Sequence, residues 1–163
     1  MPDDFLPQGY EVPESSGFLK FKEGETRFRI ISKPILGWED WKDKKPIRFK
    51  FDEKPQKPID PAKPIKHFWA MAVWDYQANR VAILEITQKG IQTTLRGLAQ
   101  DPDWGDPSQY DIKVERKGSG METEYEVKPV PHKPLTEEIK AACAETKVYL
   151  EALYVAGDPF VPF

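Results

Sequence analysis

The chain has 163 residues, with 24 Lys and Arg against 27 Asp and Glu, and a formal net charge of −3. This length predicts one domain, and no apolar run reaches the about 18 residues of a membrane span. The N-terminal sequence lacks the basic start and apolar stretch of a signal peptide. A lone Cys143 excludes an internal disulfide and suits a reducing cytoplasm. With only His67 and His132 beside it, we expect neither a zinc site nor any other cofactor.

The charge is distributed unevenly along the chain. Residues 18–80 contain 15 Lys and Arg against 9 Asp and Glu, whereas residues 81–163 contain 9 against 14. Residues 1–17 add four acids, three Pro and no base, which predicts a flexible arm. A basic segment beside acidic ends suits a polyanion-binding surface, but ordinary solvated charge explains the balance equally well.

The first predicted strands follow this arm. GFLKFKEGETRFRIIS alternates apolar and basic residues on both sides of Glu23–Glu25, which predicts a hairpin with one basic face. Two tryptophans then lie among lysines, and PIRFKF alternates again, so we expect a further strand over 45–51. Residues 52–65 contain four Pro and three Lys, and predict an extended loop.

The centre of the fold is predicted at Lys66 to Gln100. KHFWAMAVWDY is rich in β-forming residues and largely apolar on both faces, so one face should pack on a core. The other face should meet a second covering surface or a ligand. A polar turn leads to a second strand, Arg80 to Thr87, and Ile91, Leu95 and Leu98 then predict an amphipathic helix.

A second hairpin and a last helix complete the predicted elements. YDIKVERKGSGMETEYEVKP predicts two strands around a turn at Lys117–Gly120. Trp104, among prolines and a glycine, is expected to plug one end of a barrel. Thr136 is expected to cap a helix that continues to Ala156 and stops at Gly157.

This order of elements predicts a mainly β fold. It is the connectivity of the OB-fold, a five-stranded Greek-key barrel, with the helix between strands three and four. The strand at 45–51 would be an insertion, and a helix would follow the barrel. The predicted organisation is an arm at 1–17, the barrel at 18–135, a helix at 136–156 and a tail at 157–163.

Several segments also resemble single-stranded DNA-binding proteins of tailed bacteriophages, across about residues 18–135: RFRI, KPIRFKF, KHFWAMAVWDY, RVAILEITQKGIQTTL, DWGDPSQYDIKVERKGSG and TEYEVKP. They are distantly similar to the core of the helix-destabilising protein of T-even phages. The resemblance implies sequence-independent binding of single-stranded DNA in phage replication or recombination, in the bacterial host cytoplasm. The T-even protein has a Cys/His zinc subdomain where residues 52–65 here have neither residue, so zinc-linked cooperativity should not carry over.

Binding a single strand without sequence preference requires cations for the phosphates and aromatic faces for the unpaired bases. The cations predicted to contact the backbone are Lys20, Lys22, Arg27, Arg29, Lys44, Lys45, Arg48, Lys50, Lys66 and Arg80. The aromatic residues predicted to stack are Trp38, Trp41, Trp69, Trp74 and Tyr76. A Trp on a central strand is nevertheless more often part of the core. Because Trp69 and Trp74 have opposite parity, they cannot both face one groove without a bulge.

Other functions have weaker support in the sequence. The chain has no Walker-type Gly-rich loop, G-x-S-x-G or H-E-x-x-H, so we do not expect an enzyme. Four acids between Asp101 and Asp111 could in principle hold Mg²⁺ for a nuclease, but beside prolines they are more typical of turns. The alternative function is a β-barrel adaptor or structural phage protein that binds another protein.

The end of the chain carries a separate hypothesis. Val161-Pro162-Phe163, preceded by an acid, looks like a reduced version of the tip of bacterial single-stranded DNA-binding proteins. An apolar tip of this kind can fill a pocket on a partner, so we predict that it recruits replication or recombination proteins or competes with DNA. The alternative is a tail that docks on its own barrel. The predicted partner-binding residues are Asp158, Phe160, Val161, Pro162 and Phe163.

Overall fold

The computed structural model describes residues 17–118 and 120–162. These residues form seven strands and two α-helices. The strands are β1 (Gly24–Ile30), β2 (Ile35–Lys42), β3 (Lys45–Lys50), β4 (Lys66–Asp75), β5 (Arg80–Ile86), β6 (Asp111–Lys117) and β7 (Glu124–Pro129). The helices are α1 (Lys89–Gln100) and α2 (Glu137–Glu145), and a 3₁₀ segment, Leu150–Val155, follows α2.

All the strand pairs between these elements are antiparallel and belong to one sheet. Its order is β3-β2-β4-β1-β6-β7, and β5 pairs with β4 along the opposite edge from β1 and β2. The prediction of a mainly β fold is confirmed. Within the described residues, however, no ladder joins β5 to β7, so the sheet is not a closed barrel. Helix α1 contacts β7 and completes the core on this side instead.

Strand β3 and the central β4–β5 hairpin lie where the sequence predicted strands, and β2 pairs with β3 as a hairpin partner that the sequence did not single out. A two-residue turn, Asp43-Lys44, joins β2 to β3, and both of its residues have positive φ, at 52° and 64°. Turns of this kind match the twist of the flanking strands. The carboxylate of Asp75 closes the β4–β5 turn by accepting hydrogen bonds from the backbone N–H groups of Gln77 and Ala78 at 2.8 and 3.2 Å.

The hairpin predicted over residues 18–32 is wrong in its first half. Only Gly24–Ile30 forms a strand of the antiparallel ladders, and it pairs with β4 and β6. The preceding residues lie beside β5 instead, where the N–H of Leu19 donates to the carbonyl of Ile83 at 2.8 Å and the N–H of Ile83 donates to Gly17 at 2.9 Å. Gly24, at φ +94°, permits the change of direction between the two segments.

Strand β4 is buried on both faces, as its apolar parity on both sides predicted. One face carries Met71 and Val73 into the main core, which α1 covers with Ile91 and Leu95. The other face carries residues such as Phe68, which pack beneath the C-terminal segment. The second face of β4, which was expected to meet either a covering surface or a ligand, is therefore covered by the C-terminal segment of this chain.

That C-terminal segment differs from the single helix predicted over 136–156. Thr136 caps α2 as expected, since its Oγ1 accepts the N–H of Ile139 at 3.3 Å, but α2 ends at Glu145. The chain then continues into the 3₁₀ segment, whose residue Leu153 is 3% exposed against the sheet. The physical reason is the irregular apolar pattern, because no single helical stripe could place all these side chains on the sheet.

The tail turns back onto the fold. The carbonyl of Pro159 accepts the N–H of Tyr149 at 2.6 Å, and Phe160 packs against the residues beneath the C-terminal segment, including Trp74 and Val81. Phe160 therefore belongs to the packed structure, which agrees with the alternative of a tail that docks on its own fold rather than with its assignment as a partner-binding residue. Val161 and Pro162 are exposed, Asp158 is exposed beside them, and Phe163 lies outside the described residues.

We predict that Phe160→Ala lowers the free energy of unfolding by roughly 1–2 kcal/mol, less than a fully buried Phe would cost, because its ring is only partly buried. Urea unfolding measures this change. Val161→Ala is the matched control, since Val161 is 52% exposed and should change stability by less than about 0.5 kcal/mol. Equal stability of the two variants would show that the tail is not docked in solution.

Candidate nucleic-acid interface

The β2–β3 hairpin presents two faces, because its side chains alternate along each strand. On the outer face, Trp41 lies opposite Pro46, and Glu39 lies opposite Arg48. On the inner face, which continues the face of β4 that bears the main core, Trp38 lies opposite Phe49 and beside His67 of β4. Aromatic rings and cations occur together on both faces.

The outer face ends in a hollow of about 500 Å³ that we call the lysine hollow. Its lining residues are Trp41, Lys44, Ala62, Lys63, Pro64 and Lys66. The three lysines are exposed, whereas Trp41 is half-buried with part of its ring open. An indole and three exposed lysines that line one hollow can together provide a surface for a base and counter-charges for its phosphates.

Asp40 helps to hold the proline-rich loop beside this tryptophan. The side chain is 1% exposed, and its carboxylate accepts hydrogen bonds from the backbone N–H of Trp41 at 2.8 Å and of Ile59 at 3.0 Å. Farther along, Asp60 forms a turn, with its carbonyl accepting the N–H of Lys63 at 2.9 Å. The extended, proline-rich loop predicted over residues 52–65 is therefore attached to the hairpin.

On the inner face, three rings form a group that we call the ring cluster: Trp38, Phe51 and His67. Trp38 stacks on Phe51 with ring centroids 5.7 Å apart and an interplanar angle of 20°, and lies 5.0 Å from His67. The ammonium of Lys54 lies 4.3 Å from the centre of the Trp38 ring, a cation–π contact. Phe51 is 55% exposed, so the cluster is open to the solvent.

The remaining predicted lysines are all exposed. Lys20 and Lys22 precede β1, while Lys45 and Lys50 begin and end β3. Lys45, Arg48 and Arg80 also line a wider hollow of about 750 Å³, whose apolar wall includes Phe160. The outer face of the hairpin therefore continues from the lysine hollow towards this wider basic depression.

Three other predicted residues form a structural network around Asp111. Arg27 and Arg29 pair with the two carboxylate oxygens of Asp111 at 2.6 and 2.7 Å, and the hydroxyl of Tyr76 donates to it at 2.9 Å. Burial opposes ionisation of Asp111, but these hydrogen bonds outweigh it and hold the pKa of Asp111 below its ordinary value. Arg29 is 4% exposed, so the structure gives it no route to a phosphate.

Arg48 lies on the opposite face from Ile47 and Phe49, as the alternation of PIRFKF predicted, but its guanidinium is engaged by carboxylates. Its side chain is 10% exposed, and its Nε lies 2.5 Å from Glu85 and 3.6 Å from Glu39. Burial is the largest cause that raises the pKa of Glu39, to about 9, followed by a hydrogen bond from the protonated Glu39 to Glu85 and by repulsion between the two carboxylates. Glu39 is therefore protonated near neutral pH, and Arg48 balances the charge of Glu85.

We predict that Glu39→Gln, which mimics the neutral acid, stabilises the protein increasingly as the pH rises. Between pH 4.5 and about pH 9, Glu39 keeps its proton in the folded protein and releases it in the unfolded chain. The free energy of unfolding of the wild type therefore falls as the pH rises through this range, whereas Gln has no proton to lose. The difference in unfolding free energy between variant and wild type should grow by up to about 1.4 kcal/mol per pH unit. A difference that stays constant from pH 5 to pH 8.5 in urea titrations would contradict this account.

The two central tryptophans lie on opposite faces, as their parity predicted. Trp74 is 5% exposed and packs beneath the C-terminal segment, so no face of its ring is open to a base. Trp69 is half-buried at the edge of the main core and lines a separate hollow. We therefore leave Trp74 out of the interface and keep Trp69.

The acids considered as a magnesium site are used in turns and ion pairs. Asp101 accepts the N–H of Asp103 at 2.9 Å, Asp106 accepts the N–H of Ser108 at 2.9 Å, and Asp111 is paired as above. Across residues 17–118 and 120–162, no group of three or more His, Cys, Asp or Glu could hold a metal ion. In the same part of the chain, no helix is long and apolar enough to span a membrane.

Four residues of the interface were not singled out from the sequence: Phe51, Lys54, Lys63 and His67. Lys54 and Lys63 could have been found from their place in the proline-rich loop. Nothing in the sequence of that loop, however, shows that it folds onto the hairpin. Phe51 was assigned to a strand, and a 3₁₀ turn places it against Trp38 instead. His67 required the register between β2 and β4.

Comparison with known proteins finds a similar protein from a bacteriophage. The chain is 26% identical over 174 aligned positions to a protein of Escherichia phage T5 described as a probable ssDNA-binding protein. The alignment covers 86% of this chain and 66% of the T5 protein. No protein-family model and no solved structure matches the chain. The predicted resemblance to bacteriophage single-stranded DNA-binding proteins is thus confirmed for most of the chain.

Proposed function

We propose that this protein binds single-stranded DNA without sequence preference. The observation that carries the proposal is the lysine hollow, where an accessible indole lies among three lysines whose ammonium groups no carboxylate of the described residues pairs within 4.0 Å. Stacking on an indole is available to every base, and ammonium groups neutralise phosphates regardless of sequence. Neither contact distinguishes one base from another.

The topology supports an OB-like interpretation of the sheet. In chain order, β1, β4, β5, β6 and β7 follow the connectivity of the five OB strands, with α1 between the third and the fourth. The β2–β3 hairpin and the proline-rich loop are then an insertion between the first two strands. In OB-folds, loops beside the sheet bind oligonucleotides, so this insertion is a suitable place for an interface.

The T5 relative supports the choice of single-stranded DNA as the ligand and of a phage as the setting. We therefore propose a non-enzymatic role in phage DNA replication or recombination, in which the protein protects and organises single strands in the host cytoplasm. Binding should require no metal or other cofactor. Recruitment of replication or recombination proteins through Val161 and Pro162 remains part of this proposal.

We expect the protein to bind oligo-dT at least tenfold more tightly than duplex of the same length, because only unpaired bases can reach Trp41. The logarithm of the affinity should fall with the logarithm of salt concentration with a slope of about −0.7 per phosphate neutralised. Gel shifts and anisotropy at several salt concentrations measure both. Equal affinity for the duplex contradicts the proposal, and no shift of oligo-dT at low salt favours the protein-binding adaptor.

Variants of the lysine hollow separate charge from stacking. Replacing Lys44, Lys63 and Lys66 by Ala should reduce the magnitude of the salt slope by about 2, because three phosphate contacts are lost. Trp41→Leu, which keeps apolar volume without a flat ring, should weaken binding about 5- to 150-fold and leave the slope nearly unchanged.

The matched control replaces three exposed lysines outside the hollow, Lys89, Lys128 and Lys147. This triple variant has the same change in net charge, so only a difference between the two triple variants identifies the hollow. If both triple variants lose the same affinity, the lysines act through net charge alone and the site is elsewhere.

A further inference from the structure

We propose that a second hollow, beside Trp69, accepts one base of the bound single strand after that base leaves its stack. This inference rests on the proposed function and adds a subsite to it. The hollow has a volume of about 480 Å³ and lies between the loop after β1, strand β4 and helix α1. Its walls include Ile30, Pro34, Trp69, Met71, Leu95 and Ala99.

The ring cluster leads directly to this hollow. The register between β2 and β4 places Trp38 beside His67 and, two residues along, Leu36 beside Trp69 on the same face. Phe51 at the outer end is 55% exposed and Leu36 is 39% exposed, so this strip is not covered by the chain itself. Single-stranded DNA whose bases stack on the ring cluster is therefore directed towards Trp69.

The hollow suits the flat, weakly hydrated faces of a base. Met71 and Leu95 are 1% and 2% exposed, and Ile30 is 8% exposed, so they form an apolar floor fixed by the main core. Trp69 is only half-buried, which leaves part of its ring available at the side. A base that enters exchanges water for an indole and aliphatic surface, which is the environment in which stacking contributes most.

The charges at the rim suit the phosphates on either side of such a base. Lys33 and Arg96 line the hollow, and both residues are exposed. The acid in the lining, Asp106, accepts the backbone N–H of Ser108 and so belongs to its own turn. Two cations against one engaged carboxylate favour a polyanion over an acidic or uncharged peptide with the same apolar anchor.

A test fills the hollow without disturbing the core. Ala99 is exposed at its edge, so Ala99→Trp should occupy the space and weaken binding to oligo-dT about 5- to 50-fold, the range expected for loss of one stacked base. Thr93→Trp is the matched control on an exposed position of α1 outside the lining, and should bind like wild type. Arg96→Ala should weaken binding as well and reduce the magnitude of the salt slope by about 0.7.

The second readout is direct and does not depend on affinity. A single 2-aminopurine is moved through the shortest oligonucleotide that binds, and acrylamide quenching of its fluorescence is measured in each complex. We expect one position to be shielded from the quencher at least threefold more than its neighbours in wild type and in Thr93→Trp, and this shielding to disappear in Ala99→Trp.

The outcomes separate this inference from the proposed function. If wild type binds oligo-dT and Trp41→Leu weakens binding, but Ala99→Trp and Arg96→Ala bind normally and no base is shielded, the proposed function stands and the base-accepting hollow is wrong. If wild type fails to bind single strands, the proposed function itself fails. Urea unfolding of Ala99→Trp checks its fold, and if it is unfolded, Arg96→Ala with the shielding profile decides the question.

Discussion

The two-sided burial of β4 is the constraint on which the rest of the structure depends. This strand pairs with β1 and β2 along one edge and with β5 along the other, and both of its faces are buried over residues 70–75. Its apolar faces need two covers, and the C-terminal segment supplies the second. The proposed interface therefore lies mainly on the β2–β3 hairpin and the first residues of β4, which the C-terminal segment covers only in part.

The β2–β3 hairpin also contains an edge strand of the sheet. Strand β3 is at the edge of the sheet, where unpaired backbone groups invite pairing with other chains. Lys45, Pro46 and Lys50 are residues that discourage such pairing, and exposed lysines also attract phosphates. The same composition therefore protects the edge and provides the charge for a polyanion. The aromatic rings on both faces of the hairpin would then offer two surfaces on which the bases of the proposed single-stranded DNA could stack.

Most of the predicted arginines differ from the predicted lysines in their surroundings. Arg27, Arg29 and Arg48 are each bound to a buried or half-buried carboxylate, whereas Arg80 and every predicted lysine are exposed. A guanidinium is planar and weakly hydrated, so it pairs with carboxylates inside a fold at lower cost, while the strongly hydrated ammonium stays at the surface. Counting Lys and Arg together overestimates the charge available to a ligand, because part of it neutralises Asp111 and Glu85.

The amino-acid pattern by itself determined the central hairpin, the amphipathic helix α1, the second hairpin and the two-sided burial of β4, because alternation and helical spacing are local properties of the chain. It also included Trp41, Lys44 and Lys66 among the predicted DNA contacts, and the structure places these three residues around one hollow. Only the tertiary structure decided that residues 17–19 pair with β5, that Arg29 and Trp74 are buried, and that Lys63 reaches Trp41. These outcomes depend on contacts between residues far apart in sequence, where a carboxylate such as Asp40 or Asp111 selects its partner through the register of the sheet, and no local pattern encodes that register.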